Sequence, residues 1–501
     1  MRDDLAQGEP SAAPGAVASV AAGAGERTIV VPRFALPEAR MRSWGLAVSR
    51  PVYGFAALAT LLAGCLAVVV FAAAGPTVLV PSSSYAFPGW VAGPLGGIFG
   101  RLISSPQTLN YGFSALLLAM TLAYGIALAS VRMLSMRTIV ITILALHAVL
   151  LLSPPLQLTD LFNYLGYSRL GALHDLNPYT HVIGNVPHDP IYGLTSWHNM
   201  PSPYGPAFTL LTYSVAHLSL PVAYWVLKTA TVLASLGFIA LVWRCARQLG
   251  HDPRFAVLFV AANPIFLIYE LGGFHNDVFM LVPAMASISL LLAGRDRRSG
   301  AALMLAVAVK FTMVLLLPFL LLAARPSRRR FRFLTGAALA VVPLAVASVA
   351  AFGFSIPNVS DQSTILTPFS GPNLVGLLLG FGGGAPTLLR IANVVAVVAV
   401  AILVAAVARG RGGDWISAAG FATLALLASL AWLMPWYVVW VLPLAAIGAS
   451  IRLRRAAIAF TVFLVLSFMP ATGTLLAALH LRPMGSAVGQ AANARSHRLE
   501  Q

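Results

Sequence analysis

The chain alternates long apolar runs with short polar segments, and this pattern predicts membrane-spanning helices. A transmembrane helix needs about 20 apolar residues. Runs near that length lie at 52–74, 109–131, 138–155, 222–243, 254–271, 277–294, 332–353, 386–408, 415–433 and 456–480. Shorter runs, which indicate short crossings or re-entrant pieces, lie at 205–220, 299–310, 312–324 and 436–450. We therefore expect an all-α fold, a polytopic transmembrane helix bundle of about 11–14 membrane segments.

Composition supports the membrane class. Hydrophobic residues make up 59% of the chain, charged residues 9%, and mean hydropathy is +0.84. The net charge of +17 comes from arginines clustered at the ends of apolar runs, as in 325–332 and 452–455. This is the positive-inside pattern, so these loops are predicted to be cytoplasmic and to face anionic lipid rather than nucleic acid. Two cysteines, Cys65 and Cys245, support neither a disulfide framework nor a metal cluster.

The hydrophobic runs and the arginine clusters also divide the chain into segments. Residues 1–50 are predicted to be a disordered cytoplasmic tail, 51–480 a multi-pass domain in the plasma membrane, and 481–501 a polar tail. Placing the arginine-rich loops inside puts 75–108, 156–204 and 354–371 outside. Segment 205–220 is then expected to cross only partly, because 222–243 already returns the chain to the cytoplasmic side.

The loop 156–204 is the most informative outer segment, being dense in Asp, His, Asn, Tyr and Pro. Helical spacing places Asp160, Asn163, Tyr164 and Tyr167 on one face, which predicts a short amphipathic helix lying at the membrane interface. Such a helix would hold the Asp160 carboxylate just above the bilayer. The simpler alternative is that Asp160 only caps the helix.

A second group of ionisable residues lies at membrane depth, where charge is costly and often functional. Glu270 and Asp277 flank a Gly-Gly-Phe-His-Asn turn, although Asn276 or Asp277 could simply cap the next helix. Lys310 and Arg390 could neutralise a phosphate or could snorkel to headgroups.

Four histidines of the outer loop are candidates for a metal site. Their spacing matches no compact ligand motif, so no metal-binding residue is predicted. They are His174, His181, His188 and His198.

Several short motifs, in this order, resemble the GT-C superfamily of membrane glycosyltransferases. The pattern is most similar to the actinobacterial polyprenol-phosphomannose-dependent alpha-1,6-mannosyltransferases and covers roughly 137–450. The motifs are Asp160-x-x-Asn163-Tyr164, Asp175-Leu-Asn177-Pro178-Tyr179, Ser202-Pro203-Tyr204-Gly205-Pro206, Asn263-Pro264, Glu270, Gly272-Gly273-Phe274-His275-Asn276-Asp277, Lys310-Phe-Thr and Met434-Pro435-Trp436-Tyr437.

The resemblance implies an inverting transferase that moves mannose from polyprenyl-phosphate-mannose to a growing alpha-1,6-mannan on a lipid anchor. It makes Asp160 the general base. The implied substrate-binding residues are Asn163, Tyr164, Arg169, Asp175, Tyr204, Glu270, His275, Asn276, Asp277, Lys310, Arg390 and Trp436. Such enzymes often carry paired acids at the first-loop position, whereas Leu161 and Phe162 follow Asp160 here. No cofactor is therefore singled out, and a divalent metal ion stays open.

Three alternatives remain at this point. A lipid-linked-sugar transporter or flippase would also need broken helices, but it predicts internal repeats and charges near the midplane. A polysaccharide ligase or polymerase would more often use a large late outer loop, and 354–371 is short. A GT-C transferase for arabinose or glucose cannot be separated from a mannosyltransferase by sequence.

Overall fold

The computed structural model describes residues 50–77, 79–80, 87–99, 105–359, 362–363, 365–410 and 414–500; the predicted N-terminal tail lies outside these residues up to position 49. Within them the chain is helical and contains no strand, which confirms the all-α prediction. The helices are α1 (Pro51–Ala73), α2 (Gly89–Ala92), α3 (Pro106–Ala129), α4 (Met136–Leu151), α5 (Asp160–His174), α6 (Pro206–Tyr213), α7 (Leu220–Gln248), α8 (Pro253–Ala261), α9 (Asp277–Leu292), α10 (Asp296–Val309), α11 (Leu317–Ala323), α12 (Ser327–Phe352), α13 (Gly371–Leu378), α14 (Pro386–Ala408), α15 (Trp415–Ser429), α16 (Leu442–Ile447), α17 (Ile451–Phe468), α18 (Pro470–Ala478) and α19 (Ala487–Glu500).

In the part of the chain that the structure describes, five helices, α1, α3, α7, α12 and α14, are long and apolar enough to cross a membrane, and α17 with α18 forms a sixth candidate bent by 63°. The shorter apolar pieces are Met136–Leu151, Asp277–Leu292, Phe311–Ala323, Trp415–Ser429 and Pro435–Ile447. Apolar side chains on α12 and α14 remain exposed, including Val342 at 63% and Val394 at 62%. A continuous apolar exterior of this kind is suited to lipid, so the chain is a helical membrane protein.

The apolar run 254–271 is not one helix. It breaks after α8 at Asn263-Pro264 and resumes as a single π-helical turn, Phe266–Leu271. Pro264 has no N–H to donate, and the Asn263 Oδ1 accepts the backbone N–H groups of Ile265 at 3.0 Å and Phe266 at 3.3 Å. These hydrogen bonds replace the intrahelical bonds lost at the break, so an irregular backbone is stable inside the bundle.

Helix α6 has eight residues and is about 12 Å long, which is too short to cross a bilayer. This agrees with the expectation for 205–220. The short helix predicted to begin at Asp160 is present as α5, while its place at a membrane interface stays a prediction. Its polar face does not point to solvent. Asn163, Tyr164 and Tyr167 are all buried, because later parts of the loop and the turn before α9 pack over them.

Candidate functional site

Three pairs of distant segments are joined by hydrogen bonds at one end of the bundle. The backbone N–H of Leu156 donates to the Gly272 carbonyl at 2.9 Å, and that of Gly205 donates to the Val309 carbonyl at 3.2 Å. The backbone N–H of Asn276 donates to the Tyr164 hydroxyl at 3.0 Å. The start of the loop 156–204, its end, the turn before α9 and the end of α10 therefore meet at one place.

A cavity of about 380 Å³ opens where these segments meet. Its described lining includes eight of the predicted site residues. They are Asp160, Tyr164, Tyr204, His275, Asn276, Asp277, Lys310 and Trp436.

Asp160 is the first residue of α5, and its side chain is 16% exposed. Its Oδ1 accepts a hydrogen bond from the Tyr204 hydroxyl at 2.9 Å, and its Oδ2 lies 3.5 Å from His275 Nδ1. Burial raises the pKa of the Asp160 carboxyl to about 6, while the Tyr204 hydrogen bond and the Lys310 charge oppose the rise. The carboxylate is therefore basic enough to take a proton near neutral pH and still reaches the cavity.

His275 forms the wall beside Asp160. Its ring stacks on Trp436 with the ring centroids 3.6 Å apart and the planes 10° apart. Phe274 before it adopts a left-handed φ of 54°, an uncommon conformation for a bulky side chain and one found at functional sites. Gly273 has no room for a larger residue, because an added Cβ would lie 2.6 Å from His275 Nε2. The turn before α9 is thus shaped closely around the imidazole.

Lys310 ends α10 and places its ammonium group on the same cavity. Its Nζ lies 2.8 Å from Asp277 Oδ1, which also accepts a hydrogen bond from the Trp440 indole N–H. The same Nζ lies 5.2 Å from the ring centroid of Tyr437, within cation–π range. Among the described lining residues Lys310 is the only lysine or arginine. It supplies the positive charge on this wall.

Three polar atoms near this wall are buried and have no hydrogen-bond partner among the described residues: Glu270 Oε2, Asn276 Nδ2 and Asp277 Oδ2. The other Glu270 oxygen accepts the backbone N–H of Val278 at 3.1 Å. Buried polar atoms are normally paired. Those of Asn276 and Asp277 belong to cavity-lining residues, so polar atoms without partners among the described residues lie directly behind this wall.

The other predicted site residues lie outside the cavity lining. Asn163 pins the loop, since its Oδ1 accepts the Ser196 N–H at 3.2 Å. Arg169 is held by Asp189 at 2.9 Å, Asp175 forms the left-handed C-cap of α5, and Arg390 is exposed on α14. Glu270 lies behind the wall, bonded to the N-terminus of α9.

Trp197, Trp432 and Glu500 are among the lining residues that the sequence motifs do not single out. Trp197 lies between the motifs 175–179 and 202–206, and Trp432 precedes Met434-Pro435-Trp436-Tyr437. Glu500 was assigned to a polar tail, yet it ends helix α19, which packs onto the loop 156–204. Only the two Trp residues carry a signal in the sequence, because both are aromatic side chains close to polar motifs and aromatic rings commonly pack on sugars.

The described residues contain no group of three or more His, Cys, Asp or Glu side chains arranged to hold a metal ion. Asp160 is followed by Leu161 and Phe162, so a second acid does not stand beside it in the chain. The donor set in the described part of the site therefore does not fit a metal centre.

Fold and site together define a polytopic helical membrane protein with a charged cavity built from one long loop and several broken segments. The comparisons identify the family. Residues 53–326 match the sequence model of the family described as alpha-(1->6)-mannopyranosyltransferase, N-terminal domain. Residues 370–492 match that of the MptB C-terminal domain. The chain belongs to this alpha-(1->6)-mannopyranosyltransferase family.

Relatives of known name agree with this assignment. The chain is 31% identical over 351 residues to alpha-(1->6)-mannopyranosyltransferase A of Mycobacterium tuberculosis, an alignment covering 62% of this chain and 65% of the relative. It is 27% identical over 271 residues to alpha-(1->6)-mannopyranosyltransferase A of Corynebacterium glutamicum, covering 48% and 54%. The chain thus spans less than two thirds of the length of these relatives. No solved structure matches it.

Proposed function

We propose that this protein is an inverting mannosyltransferase of the plasma membrane. It transfers mannose from polyprenyl-phosphate-mannose to a growing alpha-1,6-mannan on a lipid anchor, at the outer face. The observation that carries the proposal is that Asp160, a carboxylate with a raised pKa, shares one cavity with the Lys310 ammonium group. Glycosyl transfer from a phosphate ester removes a proton from the acceptor hydroxyl and leaves negative charge on the released phosphate. The first change needs a base and the second a cation, and this cavity has both. The family membership agrees.

In the proposed step the 6-hydroxyl of the acceptor sugar lies against Asp160. The carboxylate takes the hydroxyl proton while the oxygen attacks the anomeric carbon of a beta-mannosyl phosphate. The bond between that carbon and the phosphate oxygen breaks, and its electron pair leaves on polyprenyl phosphate. Attack opposite the leaving group gives an alpha linkage, which is inversion.

The donor is a phosphodiester, and its leaving group, polyprenyl phosphate, departs as a stable anion. A single base therefore suffices, and the other requirement is positive charge. Lys310 fits that role, because it lines the cavity, its side chain is 22% exposed, and its Nζ is positioned by Asp277 at 2.8 Å. Arg169 and Arg390 were also expected to serve the phosphate. Arg169 is committed to Asp189 and Arg390 lies outside the lining, so we assign the role to Lys310 alone.

The placement of the cavity outside the cytoplasm is supported by α7. This 29-residue helix is about 43 Å long and begins directly after the α6 region that adjoins the cavity. Its other end carries Arg244 and Arg247, which the positive-inside rule assigns to the cytoplasm. The cavity therefore belongs at the opposite surface, where a lipid-linked donor keeps its tail in the bilayer.

The test uses the full chain purified in detergent or nanodiscs with labelled polyprenyl-phosphate-linked mannose, glucose or arabinose and an alpha-1,6-mannooligosaccharide acceptor. We expect transfer from the mannose donor only, an alpha-1,6 linkage in the product by NMR, and no transfer by Asp160→Asn. Transfer of another sugar would replace the donor assignment. Export of the intact lipid-linked sugar across liposomes without transfer would establish the flippase alternative instead.

A further inference from the structure

Besides the wall that carries Asp160, Asp277 and Lys310, the cavity has an aromatic wall. Trp197 and Trp432 both line it, and their ring centroids lie 5.3 Å apart with the planes tilted by 57°. Trp197 comes from the loop 156–204, whereas Trp432 lies between α15 and the 3-10 turn Pro435–Trp440. Both rings are half-buried, so each keeps part of its surface available. Two tryptophans from distant segments thus form one partly open apolar surface.

Helix α19 adds a carboxylate to this wall. Asn199, two residues after Trp197, donates its backbone N–H to the Leu499 carbonyl at 3.0 Å and its side-chain amide to the Arg498 carbonyl at 3.3 Å. On the other side, Ala492 of the helix packs in a small apolar cluster with Ala431, the neighbour of Trp432. The helix is therefore fixed to both tryptophan-bearing segments.

The three acids among the described lining residues of the cavity differ in the exposed fraction of their side chains, which indicates how deep each one lies. The Asp277 side chain is 1% exposed, that of Asp160 is 16% exposed, and that of Glu500 is 40% exposed. Glu500 therefore marks the open mouth and Asp277 the closed end. A glycan that grows by one sugar per reaction must extend out of the mouth, since the closed end has no room for a polymer.

We propose that Trp197, Trp432 and Glu500 form the acceptor subsite, which binds sugar units of the mannan that lie beyond the reacting one. A pyranose ring has an apolar C–H face that an aromatic ring can remove from water, and a carboxylate accepts hydrogen bonds from two hydroxyls. The inference rests on the proposed function for the identity of the sugar. It adds where the acceptor binds and which residues recognise it.

The experiment measures binding and transfer separately. Binding of an alpha-1,6-mannotetraose to the full chain, without donor, is followed by isothermal titration calorimetry. We expect Trp197→Ala and Trp432→Ala each to weaken it by about five- to tenfold, the loss of one aromatic contact. In the transfer assay the KM for the acceptor should rise similarly, while the KM for the donor and kcat at saturating acceptor stay close to wild type.

Controls separate recognition from misfolding. Trp197→Phe and Trp432→Phe keep an aromatic face and should recover most of the affinity. Trp243→Ala, on α7 beside Arg247, removes a tryptophan away from the cavity and should change neither constant. Glu500→Gln should weaken binding less than either Trp→Ala change.

The outcomes distinguish the two proposals. Wild-type protein that transfers mannose, with Trp→Ala variants that bind the tetrasaccharide equally well, would overturn the acceptor subsite alone. A donor KM that rises as much as the acceptor KM would also overturn it. Tryptophan-dependent binding of the tetrasaccharide by a wild-type chain that transfers no mannose would support the subsite and reject the transferase.

Discussion

Asp160 and Asp189 lie in the same loop and show how hydrogen-bond partners, acting against burial, help to decide what an acid does. Asp189 is the more buried, with a side chain 1% exposed against 16% for Asp160. Burial alone would raise the pKa of Asp189, but hydrogen bonds from Arg169 and His174 outweigh it, and the pKa is lowered. Among the described residues the Asp160 carboxylate is contacted by the Tyr204 hydroxyl and, at a longer distance, by His275, and burial keeps its pKa raised.

In the proposed mechanism Asp189 is the structural acid and Asp160 is the reactive one. Asp189 accepts bonds from Arg169 Nε at 2.9 Å, His174 Nε2 at 2.7 Å and the Ile191 N–H at 3.0 Å. Its lone pairs are therefore occupied, and it holds the end of α5 to the rest of the loop. Asp160 keeps capacity for a substrate hydroxyl.

The largest expected effect is that of Asp160→Asn. Removing a general base lowers a rate by about 10²–10⁴-fold, and the amide cannot take the acceptor proton. We expect kcat for mannosyl transfer to fall within that range, while Tm remains near wild type because the amide can still accept the Tyr204 hydrogen bond. A variant with wild-type kcat would remove Asp160 from the mechanism.

Asp189→Asn should show the reverse pattern. The neutral amide loses the charge that Arg169 requires, and we expect a loss of about 1–3 kcal/mol in stability. Thermal denaturation should give a lower Tm, whereas kcat measured well below that temperature should change little. If this variant instead lost activity at unchanged Tm, the division of roles between the two acids would be wrong.

The smallest effect is a displacement of the pH profile. Since Asp160 must be deprotonated to act as a base, transfer should decline as pH falls through about 6. The Tyr204 hydrogen bond lowers this pKa, so Tyr204→Phe should move the acidic limb of kcat/KM to higher pH. A limb at the same pH in both proteins would mean that another group controls it. Tyr213→Phe, on α6 outside the cavity lining, is the matched control.

Membrane class and helical fold follow from the sequence, since a bilayer permits little besides apolar helices and these are readable as long hydrophobic runs. The importance of Asp160, His275, Asp277 and Lys310 was also within reach, because charges in an apolar chain are few and stand out. Their local order along the chain is enough to name them and to suggest a family.

Only the tertiary structure decided which of these residues meet. From the sequence, Arg169 and Lys310 look equally suited to bind a phosphate. In the structure Arg169 pairs with Asp189 outside the cavity lining, whereas Lys310 pairs with Asp277 on the lining. Glu500 is far from the loop 156–204 in sequence, yet it lines the cavity, because the backbone N–H of Asn199 donates a hydrogen bond to the carbonyl of the preceding residue, Leu499. Hydrophobic periodicity is a local property, whereas hydrogen bonds between segments hundreds of residues apart depend on packing, and packing determined the shape of this site.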